Sequence, residues 1–231
     1  MVTTDTSLRA IVGALEARGF AARGAFHPEP SDGVPPSRDG RLVRTLVLAG
    51  NAGPAMWRSF VRSRERGPDP LDGWCARELG AIARAIAATL FLPSEGPPYL
   101  PFQRWALRAE PVHRSPLGIL IHPRYGLWHG YRGALGLAER LELPPPEQAP
   151  SPCDSCRERP CLSACPVAAF APGGYDVAAC ISHIEGPNGT DCMDSGCRAR
   201  RACPVGREFM FEPEQAHHHM LAFRQANTAR R

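Results

Sequence analysis

The sequence contains no hydrophobic run long enough to cross a membrane. Its longest apolar stretches, residues 46–49 and 85–92, are much shorter than the roughly 20 residues that a spanning helix needs. The first ten residues mix acidic, hydroxyl-bearing and basic side chains, which is not the pattern of a secretory signal. We therefore expect a cytoplasmic protein that does not contact a membrane.

The common nucleotide and nucleic-acid signatures are also missing. The glycine turn at residues 50–54 matches neither the P-loop nor the dinucleotide-binding fingerprint, so we interpret it as a structural turn. No helix-turn-helix pattern and no RNA motif with interleaved aromatic residues accompanies the arginines. These absences predict that nucleic acid is not a partner.

Cysteine, in contrast, is abundant and concentrated in one region. Eight of the nine cysteines lie between Cys153 and Cys203. Because the cytosol keeps thiols reduced, this distribution indicates metal binding rather than disulfides. The ninth, Cys75, lies in a helix predicted for residues 71–91, and we expect it to be a small buried core residue.

The eight cysteines form two sets of four, and each set ends in Cys-Pro. The sets are Cys153-x2-Cys156-x4-Cys161-x3-Cys165-Pro166 and Cys180-x11-Cys192-x4-Cys197-x5-Cys203-Pro204. In bacterial dicluster ferredoxins, the fourth cysteine of each run binds the other cluster. The same crossing here assigns one [4Fe–4S] cluster to Cys153, Cys156, Cys161 and Cys203, and a second to Cys165, Cys180, Cys192 and Cys197.

The spacing leaves two alternatives open. One cubane with a different second group is possible, and two four-cysteine zinc sites would also use eight thiolates. Zinc sites normally come as separated Cys-x2-Cys pairs, and this sequence has one such pair, Cys153 with Cys156. We therefore predict two [4Fe–4S] clusters, and hence a protein that transfers electrons.

Arginines are interleaved with these cysteines. They are Arg157, Arg159, Arg198, Arg200, Arg201 and Arg207. We interpret them as compensation for the negative charge of the clusters. The small polar loops at 154–155 and 163–164 should offer backbone N–H groups to the cluster sulfurs, which raises the reduction potential.

Three segments in the second half of the chain resemble a known reductase family. They are residues 120–128 (LIHPRYGLW), 175–184 (YDVAACISHI) and 196–205 (GCRARRACPV). Residues 101–211 as a whole resemble the family that includes epoxyqueuosine reductase, whose N-terminal half resembles the cobalamin-processing protein of animals. Where that family has a proton-donating Asp, this chain reads PPYLPFQR at 97–104, and Glu95 is the nearest carboxylate.

The resemblance implies an α+β protein with two domains. An N-terminal α/β domain of the flavin-reductase-like, cobalamin-processing-like type would span residues 1–142. A proline-rich linker at 143–152 would lead to a small dicluster ferredoxin-like domain at 153–211, and 212–231 would be a polar tail. The implied cofactors are two [4Fe–4S] clusters and a cobalamin, or a flavin, in the N-terminal domain.

The resemblance also places the turn at residues 122–128 near the corrinoid. We therefore predict a cofactor site bordered by His122, Tyr125, Trp128 and Tyr131. His122 or His129 could ligate cobalt or move a proton. The alternatives are histidines satisfied within a loop and aromatic side chains that simply fill the core.

We therefore predict an iron–sulfur oxidoreductase whose clusters pass electrons to a corrinoid or flavin, either cobalamin-dependent or cobalamin-reducing. Two alternatives are a ferredoxin-type electron carrier whose N-terminal domain only docks a partner, and a zinc- or cluster-stabilised binding module. The expected partners are a protein that donates or accepts electrons and a small-molecule substrate.

Overall fold

Helices and short strands alternate along the chain in the computed structural model, which describes residues 6–63, 67–171 and 173–228. The helices are α1 (Leu8–Glu16), α2 (Ala55–Ser63), α3 (Pro70–Ala85), α4 (Phe102–Ala109), α5 (Pro152–Ser155), α6 (Pro160–Ser163), α7 (Val177–Glu185), α8 (Thr190–Ser195), α9 (Arg198–Arg201) and α10 (Pro213–Thr228). The strands are β1 (Ala21–Phe26), β2 (Thr45–Ala52), β3 (Thr89–Phe91), β4 (His113–Arg114), β5 (Leu120–Ile121), β6 (His129–Leu137), β7 (Phe170–Ala171) and β8 (Gly174–Tyr175). This mixture confirms the predicted α+β class. Among the described helices, none is both long and apolar enough to cross a bilayer.

The chain divides into two compact units. Residues 1–111 and 129–148 form the first, which we call the sheet unit. Residues 112–128 and 149–231 form the second, which we call the cysteine unit. The predicted domain bounds differ from this division at residues 112–128, which the structure groups with the cysteines.

An antiparallel sheet with the strand order β1-β2-β6-β3 organises the sheet unit. One of its two inner strands, β2, is buried along almost its whole length, as its near-continuous apolar sequence dictates. The β2–β6 register shifts between Ala49 and Gly50. Gly50 has no room for a side chain, because a Cβ there would lie 1.9 Å from the carbonyl oxygen of Gly130. The two strands therefore approach closely at the end where Asn51 pairs with Gly130.

Helices α1, α2 and α3 supply the apolar core of this unit. Ile11, Phe60 and Trp74 are almost completely buried there, and the Trp74 ring stacks on Phe20 with centroids 5.0 Å apart. Cys75 lies in the same core at 2% exposure, and burial raises the pKa of its thiol to about 12. The prediction that Cys75 is a buried core residue is confirmed.

The helix predicted for residues 71–91 is too long. α3 ends at Ala85, Ala87 adopts a positive φ of 51°, and residues 89–91 form β3, which pairs with β6. A short apolar run fits a buried strand as well as a buried helix, so its sequence did not distinguish the two. Pairing with β6 makes residues 89–91 a strand.

The cysteine unit holds the segment 112–128 by close backbone contact. β4 and β5 form a hairpin, and the turn that follows closes with reciprocal hydrogen bonds between His122 and Gly126. A Cβ at Gly126 would lie 2.0 Å from the carbonyl oxygen of Val205. Only glycine fits so close an approach, and this contact explains why the turn belongs with the Cys203-Pro204 segment.

The segment predicted as a polar tail at 212–231 forms helix α10, with residues 229–231 outside the described part of the chain. Met220, Leu221 and Phe223 pack against the buried Ile181 and Ile184 of α7. The apolar residues of this helix are few and widely spaced among polar ones, so its sequence does not stand out as an amphipathic helix.

Candidate metal centres

Four thiols from distant parts of the sequence gather at the first candidate centre. Burial raises the pKa of Cys153, and the nearby charges of Cys203, Cys161 and Cys156 raise it further. Burial likewise raises the pKa of Cys203, with an added contribution from Cys156. Cys161 likewise has its pKa raised by burial and by the charges of Cys203 and Cys156. This first group is therefore Cys153, Cys156, Cys161 and Cys203.

The second group brings Cys165 together with three cysteines of the other sequence set. Burial raises the pKa of Cys180, and the charges of Cys197, Cys165 and Cys192 raise it further. All four cysteines line one cavity of about 240 Å³. For comparison, one molecule of liquid water takes up about 30 Å³. This cavity, which we call the second-group cavity, has room for a group much larger than a single ion. The two groups are those that the crossed arrangement predicts.

Backbone N–H groups lie beside several of the thiols. Burial raises the pKa of Cys197, and the backbone N–H groups of Ala199 and Arg200, in the first turn of α9, oppose that rise; the N–H group of Val205 does the same for Cys203. Ala169 donates its N–H to the sulfur of Cys165 at 3.3 Å. Such donors stabilise thiolates, which are the form that binds metal.

The spacing of the thiols bears on which metal they could hold. Their charges act on each other within each group, yet among the described residues no three His, Cys, Asp or Glu side chains lie close enough to share one metal ion. A structural zinc ion holds four ligands at about 2.3 Å from a single centre. The described residues therefore show no preformed site for a single zinc ion.

An unsatisfied polar atom in the second-group cavity fits the binding of a cluster there. His183 lies one turn after Cys180 on α7 and lines the cavity. Its Nε2 atom is buried and has no hydrogen-bond partner within the described part of the chain. Leaving a buried polar group unpaired costs about 1–3 kcal/mol, whereas a sulfide of a cluster would accept its N–H.

Three of the predicted charge-compensating arginines are held by specific partners. Arg198 and Arg201 both form ion pairs with Asp191. Arg200 donates from Nε to the Leu127 carbonyl oxygen at 3.1 Å, and its guanidinium lies 4.7 Å from the ring centroid of Trp128. Arg198 and Arg200 also line the second-group cavity, where their charge would offset that of an anionic cluster.

The turn at residues 122–126 fixes the tautomer of His122. Its Nδ1 atom accepts the N–H groups of Arg124 at 3.0 Å and Tyr125 at 3.3 Å. A nitrogen that accepts two hydrogen bonds carries no proton, so in the neutral ring the proton is on Nε2. A neutral His122 is therefore a proton or hydrogen-bond donor through Nε2, because metal ligation there would require the loss of that proton.

The other predicted cofactor residues are divided between the two units. The rings of Tyr125 and His122 lie 4.5 Å apart between centroids with their planes tilted by 32°, and the buried Trp128 contacts Phe211, all within the cysteine unit. Tyr131 belongs to the sheet unit.

In the sheet unit, the Tyr131 hydroxyl donates to the carboxylate of Glu110, which also accepts from Arg23 at 2.7 Å. Arg23 is fully buried, and burial together with the Glu110 charge raises the pKa of Tyr131.

Asn51 lies beside this charged group and was not predicted from the sequence. It is 1% exposed, and neither atom of its side-chain amide has a hydrogen-bond partner among the described residues. It pairs with Gly130 in the β2–β6 register, next to Tyr131. Asn51 belongs to the glycine turn predicted at residues 50–54, but nothing in that sequence indicates that its amide is buried.

No protein-family model matches the chain, and no curated protein matches its sequence. Solved structures do resemble it. A selenomethionine-labelled epoxyqueuosine reductase superposes with a TM-score of 0.55 at 15% identity, covering 90% of this chain and 68% of that one. The chain has the fold of epoxyqueuosine reductase.

Two further epoxyqueuosine reductase structures agree. One, solved with an epoxyqueuosine-modified tRNA-Tyr stem loop, gives a TM-score of 0.52 at 16% identity and covers 90% of this chain and 69% of that one. The enzyme from Bacillus subtilis, with its catalytic aspartate loop swung out of the active site, gives 0.51 at 15% identity, with the same coverage. The resemblance predicted from the sequence is confirmed at the level of the fold.

Proposed function

We propose that this chain is an iron–sulfur oxidoreductase with one [4Fe–4S] cluster on each group of four cysteines. The observation that carries the proposal is the gathering of eight cysteines into two groups, each completed by a cysteine of the other sequence set. The clusters would supply one-electron transfer. The protein supplies the thiolates, the N–H donors and the apolar packing that limits water at the cubes.

Metal analysis tests this proposal. Protein purified without oxygen should be brown and contain about eight irons per chain, since two cubanes hold four irons each. Cys75→Ser is the matched control, because Cys75 lies in the core of the sheet unit, and it should leave the iron content unchanged. Stoichiometric zinc without visible absorption would overturn the proposal, and about four irons would indicate a single cluster.

We further propose that the sheet unit binds the cofactor that receives the electrons, a corrinoid or a flavin. The fold is one argument. The other is Asn51, because a buried amide without a partner is stabilised when a ligand or water pairs with it. His129 and Tyr131 lie on the adjacent strand, with their ring centroids 5.9 Å apart. That His122, Tyr125 and Trp128 also border this cofactor stays a prediction.

Cofactor binding is tested by titrating the purified protein with cobalamin and with a flavin while recording the cofactor spectrum. Asn51→Ala should weaken binding about tenfold, since one buried hydrogen bond is worth about 1–2 kcal/mol. Asn188→Ala changes an exposed asparagine of the other unit and should leave binding unchanged. Unchanged affinity in Asn51→Ala would remove this residue from the site.

A ferredoxin-type electron carrier is the second candidate. The cavity of about 440 Å³ in the sheet unit is lined by Asp69, Asp72, Ala76 and Ser94, among others, and by none of the four predicted cofactor residues. No spectral change with either cofactor would favour this carrier over a reductase.

We propose that the reaction differs from epoxyqueuosine reduction in its proton donor. The Bacillus subtilis relative has a catalytic aspartate loop, whereas residues 97–104 here contain no acid. The Glu95 carboxylate accepts the N–H of Leu92 at 3.1 Å, and Glu110 is bound to Arg23. General acid catalysis needs a group that can release a proton, and we propose His122 for that role, since its Nδ1 accepts hydrogen bonds and its proton is on Nε2.

The expectation that nucleic acid is not a partner stays a prediction, and the tRNA complex of one relative makes it the partner to test. Filter binding with tRNA at two salt concentrations measures it. Affinity that falls steeply with salt would reveal phosphate contacts, and binding too weak to detect at low salt would support the expectation.

A further inference from the structure

The second-group cavity contains a phenol that the sequence analysis did not single out. Tyr175 lies on β8, and it lines the cavity together with Cys165, Cys180, Cys192 and Cys197. Its hydroxyl lies beside the sulfur of Cys180. The chain therefore places a side-chain O–H donor on one candidate ligand of the second cluster.

Two phenyl rings hold this phenol in place. Phe170, its partner across the β7–β8 hairpin, stacks on Tyr175 with centroids 4.7 Å apart and ring planes 12° from parallel. Phe223 of α10 stacks at 6.0 Å with planes at 23°. A ring between two others has little freedom to turn its hydroxyl away, so the donor is oriented before any cluster is present.

We propose that Tyr175 is a positioning residue that raises the reduction potential of the second cluster through its hydrogen bond to Cys180. A donor to a ligand sulfur withdraws electron density and favours the reduced, more negative cluster. The inference rests on the proposed function, since it needs a cluster on this group of thiols.

The first group has a corresponding donor, which makes the inference specific. The Ser151 hydroxyl oxygen accepts the backbone N–H of Cys153 at 3.2 Å, and this leaves its own proton available to the Cys153 sulfur. Each cluster would therefore have one hydroxyl donor of its own, one from Ser151 and one from Tyr175. Removing either hydroxyl should act on one cluster and leave the other unchanged.

The experiment is a redox titration followed by EPR on the full-length protein with both clusters loaded. Tyr175→Phe keeps the stacked ring. Because Tyr175 is 37% exposed, removal of its hydroxyl creates no buried cavity. The equilibrium constant for reduction of the second cluster should fall about tenfold, which lowers its reduction potential by about 59 mV for one electron. Ser151→Ala should lower the potential of the first cluster instead.

Assignment of the two signals comes from Cys180→Ala, which should remove the second cluster. Equal potentials in Tyr175→Phe and wild type, or equal shifts of both clusters, would overturn the inference while leaving the iron content, and so the proposed function, intact. Absence of iron from the wild-type protein would instead overturn the proposed function.

A second variant covers the case in which Tyr175→Phe fails to assemble its cluster. A ring-fluorinated tyrosine at position 175 keeps the ring and the hydroxyl but is a stronger donor. It should raise the potential of the second cluster only, and a potential equal to wild type would overturn the inference.

Discussion

Cys165 and Cys203 determine how the eight cysteines are shared, because each groups with thiols of the other sequence set. Cys203→Ala should therefore damage the cluster on Cys153, Cys156 and Cys161 and spare the second. EPR and Mössbauer spectra of the reconstituted variant measure this.

Cys165→Ala is the reciprocal variant and should damage the second cluster. A Cys203→Ala protein whose first cluster is spectroscopically intact would contradict the crossed assignment.

The buried ion pair of the sheet unit allows a stability prediction at the same scale. Glu110→Gln leaves Arg23 charged, buried and without its carboxylate, which should lower the free energy of unfolding by about 3 kcal/mol. Urea unfolding followed by circular dichroism measures it. Glu16→Gln, at an exposed carboxylate of α1, is the control and should change it little. Equal stabilities for the two variants would show that the pair contributes nothing.

Among the structural elements, the turn at residues 122–126 depends on one glycine. Gly126 has a φ of 56°, and a Cβ there would collide with Val205, so Gly126→Ala should separate the turn from the Cys203 segment. We expect less iron in the first cluster and a lower melting temperature.

Gly118→Ala is the matched control for this substitution. Gly118 also has a positive φ, 76°, but there is open space where its Cβ would lie. Gly118→Ala therefore introduces the backbone strain, about 1 kcal/mol, without a collision. Equal losses in both variants would mean that the contact with Val205 is unimportant.

Some elements could be predicted from sequence and others could not. The bounds of α4 can be predicted from the sequence, because apolar residues recur at helical spacing between Pro101 and the next strand. β3 and α10 were missed, since both are stabilised mainly by distant partners, β6 for the strand and α7 and α8 for the helix. Local patterns carry no information about such partners.

The same limit applies to the candidate site. The grouping of the cysteines followed from their spacing and the Cys-Pro pairs, which are a local signal. Tyr175, His183 and Asn51 gave no such signal, because their importance comes from what folding brings next to them.

At the scale of the whole molecule, the division into two units predicts an uneven response to metal removal. Iron should stabilise the cysteine unit directly, because the described residues between 153 and 203 form only short helices and one small hairpin, β7–β8. The core of α1, α2 and α3 contains none of the eight clustered cysteines.

Chelation of iron should therefore raise amide hydrogen exchange in residues 153–203 and leave β2 and β6 protected. Exchange followed by mass spectrometry measures both regions in one sample. Equal loss of protection in the two units would show that they unfold together.

The crossed grouping of the cysteines has a consequence for biosynthesis. If the clusters are as proposed, the first cannot be completed until Cys203 has left the ribosome, although Cys161 was made earlier. At about 5–20 residues per second, that delay is on the order of seconds. The second group is complete once Cys197 has emerged, so the cluster whose cysteines begin later in the sequence is the one that can be filled first.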